Sequence, residues 1–98
     1  MTDRELLELA AKAAGIDVST ARQWPNGTYI FLEPRKPRWN PLTDDGDAFR
    51  LMVACHIINE LQTAIELFID EDEWEEDSLA STRRAIVIAA AGIGRGMA

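Results

Sequence analysis

Two stretches of this chain concentrate residues able to do chemistry. The first runs from Arg35 to Asp47. Arg35, Lys36 and Arg38 supply cations, Trp39 a flat aromatic face, Asn40 an amide, and Asp44, Asp45 and Asp47 carboxylates. A cation beside an indole would hold a planar anion, by ion pairing on one side and stacking on the other. Arg35, Lys36, Arg38, Trp39, Asn40 and Asp45 are therefore the candidate ligand-binding residues, and a nucleotide is the ligand class that fits them. The competing reading is architectural: Trp39 plugs the edge of the core, Pro41 ends the loop, and Asp44 or Asp45 caps a helix.

The second stretch, Asp70 to Asp77, reads DEDEWEED, seven carboxylates around one tryptophan. Such a segment would bind a basic protein surface with Trp74 as its anchor, because aromatic residues dominate interface hot spots. Asp70, Asp72, Glu73, Trp74 and Glu75 are the candidate partner-binding residues. The competing reading is a solvated loop whose acids favour the start of the next helix. Oxygen ligands are plentiful, but the run lacks the glycine and spacing of an EF-hand loop, so no metal site is assigned.

The remaining inventory is thin. With one cysteine and one histidine, the chain has no internal disulfide framework, no multi-cysteine zinc site and little scope for triad chemistry. Cys55 and His56 are adjacent, and neighbouring side chains on a helix diverge by about 100°. His56 is expected at the end of a helix, and Cys55 as a small core residue. Gly92, Gly94 and Gly96 neither follow a strand nor open a helix, so they fail as a phosphate loop. No catalytic residue and no cofactor is assigned, and the expected protein is non-enzymatic.

The elements that would position these residues follow from periodicity. Leu6, Leu7, Leu9, Ala10, Ala13 and Ala14 recur at helical spacing over residues 3–14, with Thr2 or Asp3 as cap and Gly15 as stop. Residues 16–27 connect, with a turn at Pro25-Asn26-Gly27, and the β-branched and aromatic run 28–32 predicts a strand. Three prolines make 33–43 a loop. A second helix starts at Thr43 or Asp44 and runs to about His56, offering Ala48, Phe49, Leu51, Met52, Val53 and Cys55 to the core. Residues 57–62 and 64–69 predict two strands, the second from the alternation of Ile65, Leu67 and Ile69. A last helix opens at Ser78 or Ser81 and runs to about Arg95, contributing Leu79, Ala85, Ile86, Ile88, Ala89 and Ile93, with a glycine-weakened end that should fray.

These elements predict an α+β fold in the order α-β-α-β-β-α: a three-stranded antiparallel sheet packed with helices, since three strands cannot cover themselves. At 98 residues the chain is a single domain over 1–98. A free sheet edge would favour a homodimer. No run of about 18 apolar residues predicts a membrane span, and the charged, helical N-terminus does not resemble a secretory signal. Net charge is −7. Residues 1–40 hold five acids and six bases, and residues 41–98 twelve acids and four bases. Such a chain is repelled by duplex DNA, but it attracts basic protein surfaces and can occupy a nucleic-acid site as a mimic.

Three blocks carry a family resemblance: ELLELAAKAAGI at the start, WNPLTDDGDAFRLMVA over 39–54 and RRAIVIAAAGIGRGM over 83–97. In this order they resemble small tailed-phage accessory proteins that carry the phage ABA sandwich domain. The succession Trp-Asn-Pro, Asp-Ala, Arg-Ala-Ile-Val is also similar to NinX-like phage proteins. The resemblance implies an antiparallel sheet between helical layers, a phage or prophage gene and action in the host bacterial cytoplasm. It carries no established activity. The chain departs from the pattern in a short, acidic stretch before the last helix, and in Ile88 and Gly92 where polar residues are expected. The expected function is that of a phage accessory protein that binds and inhibits a host component with a basic surface, in an anti-defence role of the anti-CRISPR-like kind. The alternative is a small-ligand binder that sequesters a nucleotide immune signal.

Overall fold

The computed structural model describes residues 2–16, 22–23, 30–31 and 38–97. Helix α1 spans Asp3–Ala14, α2 Asp45–Ala54, α3 Leu61–Phe68, α4 Glu71–Glu76 and α5 Ser78–Arg95, with a single 3-10 turn at Ile58–Glu60 before α3. The only strand pairing among the described residues joins three two-residue segments, Arg22–Gln23 (β1), Ile30–Phe31 (β2) and Arg38–Trp39 (β3), antiparallel in the order β1-β2-β3. Segments this short make no sheet layer.

The described chain is therefore all-α, and the α+β expectation is overturned. Residues 57–69, expected as two strands, are the 3-10 turn and α3. The alternation of Ile65, Leu67 and Ile69 is real, but Leu61, Ala64, Ile65 and Phe68 also fall at i, i+3, i+4 and i+7. Short apolar runs satisfy both periods, and burial of Ala64 against α5 decides for the helix. The sheet between helical layers that the family resemblance implies is likewise not found among the described residues. Most of the run 28–32, expected as a strand, lies outside the described residues.

Local chemistry explains where the helices begin and end. Thr2 caps α1 in a reciprocal box: its hydroxyl accepts the Glu5 N–H at 3.2 Å, and its own N–H donates to the Glu5 carboxylate. That hydrogen bonding, led by the Thr2 N–H, holds the Glu5 carboxyl below its usual range. Gly15, at φ +75°, ends α1: its N–H donates to the Lys12 carbonyl and the Ile16 N–H to the Ala11 carbonyl. Asp44, Asp70 and Asp77 cap α2, α4 and α5 by accepting the N–H groups of Asp47, Glu73 and Ala80.

Two helices make the core. Leu6, Leu7, Ala10 and Ala11 of α1 meet Ile86, Val87, Ala90 and Ala91 of α5, and Trp39, Ala48, Leu51 and Ile57 close the cluster from the other side. Asp3 pairs with Arg84, and the Lys12 ammonium donates to the Met97 carbonyl, so the two helices run in the same direction. Small side chains let them approach closely. Gly94 is buried, and a Cβ there would overlap the Leu9 carbonyl oxygen. The glycine-rich end of α5, expected to fray, is thus part of the main contact. A second cluster of Ala64, Ile69 and Ala85 seats α3 on α5. Phe49, Val53, Leu79 and Ile93, expected in the core, are instead exposed.

Candidate functional site

The Trp39 loop is built from within. Trp39 and Asn40 are buried, and Trp39 belongs to the main core cluster. The Asn40 carbonyl accepts the N–H groups of Thr43 and Asp44, and its side-chain oxygen accepts the Leu42 N–H at 3.0 Å. Asp47, 8% exposed, accepts the Asn40 N–H at 3.0 Å on one oxygen and the Arg50 guanidinium at 2.7 Å on the other. Arg83 reaches over from α5: its Nε donates to the Leu42 carbonyl at 2.9 Å and its Nη1 to Asp45 at 2.6 Å. The polar groups of the motif thus bind one another and α5. A stacking ligand would need the face of Trp39, which the core occupies. Of the other ligand candidates, Asp45 is exposed and engaged with Arg83, Arg35 and Lys36 lie outside the described residues, and Arg38 is described by its backbone alone.

The acidic stretch is a helix, not a loop. Asp70 caps α4, which carries Glu71, Asp72, Glu73, Glu75 and Glu76 in its six residues, and Asp77 caps α5 directly after it. All are exposed, and Trp74 stands 41% exposed among them. Among the described residues no lysine or arginine forms an ion pair with these carboxylates. The middle of the helix is tied to α5 by Ser81, whose hydroxyl donates to the Glu73 carbonyl at 2.9 Å. An open depression of about 430 Å³ lies beside it, lined by Glu73, Glu76, Asp77, Ala80, Ser81 and Arg84. The structure therefore brings Asp72, Glu73, Trp74 and Glu75 onto one short helix, with Asp70 as its cap.

One feature escaped the sequence reading. An open, mostly apolar groove of about 400 Å³ runs between α3 and the second half of α5, its walls including Ile57, Ala64, Leu67, Phe68, Ala89 and Ile93. Its end is the turn after α2. There His56 takes φ +57°, with its N–H donating to the Val53 carbonyl and the Ile57 N–H to the Met52 carbonyl. This is the left-handed helix stop that glycine usually supplies. Cys55, half-buried beside it, has its thiol pushed up by loss of solvent, which disfavours the reactive thiolate. The signal for the groove was the stripe Glu60, Thr63, Ala64, Leu67, Phe68, which helical spacing puts on one face.

Among the described residues no group of three or more His, Cys, Asp or Glu side chains could hold a metal ion, and no single helix is long and apolar enough to cross a membrane. No buried side-chain polar atom among them lacks a hydrogen-bond partner. No family model matches the chain, and no curated protein and no solved structure matches it either.

Proposed function

We propose that this chain is a non-enzymatic phage accessory protein that binds and inhibits a host protein with a basic surface, and that α4 makes the contact. The observation that carries this reading is the state of α4: five carboxylates in six residues, with those of the two capping aspartates beside them, all exposed, without cationic partners among the described residues, and grouped around a half-exposed indole. Like charges so close together oppose folding, and a cationic partner would relieve that repulsion. Complementary charge accelerates encounter, while a central aromatic residue supplies the anchor. The family resemblance of the three sequence blocks supports a phage origin and a bacterial host protein as the target.

The test leaves the helix caps alone. Immobilised wild-type chain and the double variant Asp72→Lys/Glu75→Lys are exposed to bacterial lysate, and any retained protein is purified and its Kd measured for both. A retained basic protein whose affinity falls at least tenfold on charge reversal, and also on Trp74→Ala, is the expected result. Equal retention by all three chains, with equal helical content, sinks the reading.

A further inference from the structure

We propose that the groove between α3 and α5 docks a cationic amphipathic helix of a partner protein. The inference rests on the reading of the chain as an interaction protein, but it places a contact on a face distinct from the acidic surface of α4.

The groove is concave and mostly apolar, with Ile57 and Ala64 buried in its walls and three large side chains left solvent-exposed: Leu67 by 71%, Ile93 by 44% and Phe68 by 40%. Apolar side chains gathered around a concavity mark a binding surface more than scattered ones do. Two helices form its walls, and such a trough takes the apolar face of a third helix, with anchors at i, i+3 or i+4, and i+7.

Charge selects the occupant. From Leu51 to Thr82 the chain has no lysine or arginine, one histidine and nine carboxylates, all between Glu60 and Asp77. Glu60 is the carboxylate among the groove's lining residues, while Glu66, bonded to Gln62, and the carboxylates of α4 lie outside its walls and add to the negative field around it. Of the flanking arginines, Arg50 pairs with Asp47, Arg83 with Asp45 and Arg84 with Asp3, and Arg95, two residues past Ile93, is not among the lining residues. A second copy would set one Glu60 against the other, with no lysine or arginine among the groove's lining residues. An anionic lipid surface would be repelled for the same reason. A helix with one apolar face and a lysine- or arginine-rich flank satisfies both features of the site.

The test uses three labelled peptides of equal length and fluorescence anisotropy against the intact chain. One is a leucine–lysine amphipathic helix, the second its leucine–glutamate counterpart, and the third a scramble of the first with no apolar face. The expected result is tightest binding of the leucine–lysine helix, with both others at least tenfold weaker. Leu67→Glu and Ile93→Glu, both at exposed positions, should each weaken that helix at least tenfold without changing thermal stability. Glu60→Lys should weaken it severalfold. Asp72→Lys/Glu75→Lys on α4 should leave it within about threefold, so loss of the α4 contact and loss of the groove contact read out separately. Equal binding of the scramble, or indifference to Leu67→Glu and Ile93→Glu, overturns the proposal. So does a dimer in sedimentation that Leu67→Glu dissolves, since the occupant would then be a second copy.

Discussion

Replacing Gly94 with alanine adds one methyl group where α5 touches the backbone of α1. The obstacle is the Leu9 carbonyl, which cannot rotate away as a side chain would. We expect Gly94→Ala to cost about 2–4 kcal/mol, at or above the upper end of overpacking effects, despite alanine's better helix propensity. Two residues earlier the same change has the opposite sign. Gly92 is exposed with open space around its Cβ position, so Gly92→Ala should gain up to about 1 kcal/mol. Thermal melts of the two variants check both, and a stable Gly94→Ala would mean that the helices are farther apart than described. Asp47 gives a second contrast. Asp47→Ala leaves the buried Asn40 N–H without its acceptor and should cost about 2–3 kcal/mol. Arg50→Ala removes the exposed side of the same carboxylate's contacts and should cost less than about 1 kcal/mol. Denaturant titration distinguishes the two.

At the scale of the helix, the ends respond to pH. The Glu5 carboxyl is lowered by the Thr2 hydrogen bonds, so its contribution is present above the ordinary glutamate range and is lost as pH falls through its depressed folded value. The protection factors of the amides in the first turn of α1, taken relative to intrinsic exchange at each pH, should therefore fall on acidification below pH 4.5, and Glu5→Gln should flatten that dependence. Helical elements were also where the sequence was most legible. The reading of residues 3–14 matches α1 from its first to its last residue, because capping, period and terminal glycine all agree. The second and last helices were placed within a residue or two at most ends. What failed was α3, where a two-residue and a 3.6-residue period coexist, and only contact with α5 separates them. The absence of glycine and proline from residue 47 to 91 was the overlooked clue. In the Trp39 loop the residue types suggested a ligand, but the same amide and carboxylate hold the loop to itself. Composition does not distinguish a polar group that awaits a ligand from one already satisfied. The groove was only half legible: the α3 stripe is in the sequence, but the facing wall, Ala89 and Ile93, lies more than 20 residues further along.

For the whole molecule, net charge −7 is distributed unevenly, and the excess lies in α3, α4 and their flanks. Raising ionic strength from 0.01 to 0.15 M shortens the screening length from roughly 30 to 8 Å, which damps repulsion across that acidic region. The ion pairs of Arg4, Arg50, Arg83 and Arg84 each have at least one largely exposed partner, so they have less to lose. The melting temperature should therefore rise with salt, and a fall would show that attractive pairs dominate. The parallel contact of α1 with α5 has a further consequence, for biosynthesis. Lys12 and Met97 are 85 positions apart, so α1 meets its main partner only after nearly everything between them has been translated. Until then Leu6, Leu7, Ala10 and Ala11 lack the α5 side of their cluster. The nascent chain must leave the ribosome with an uncovered apolar stripe, which makes it a client for chaperones and sets the pace of its maturation.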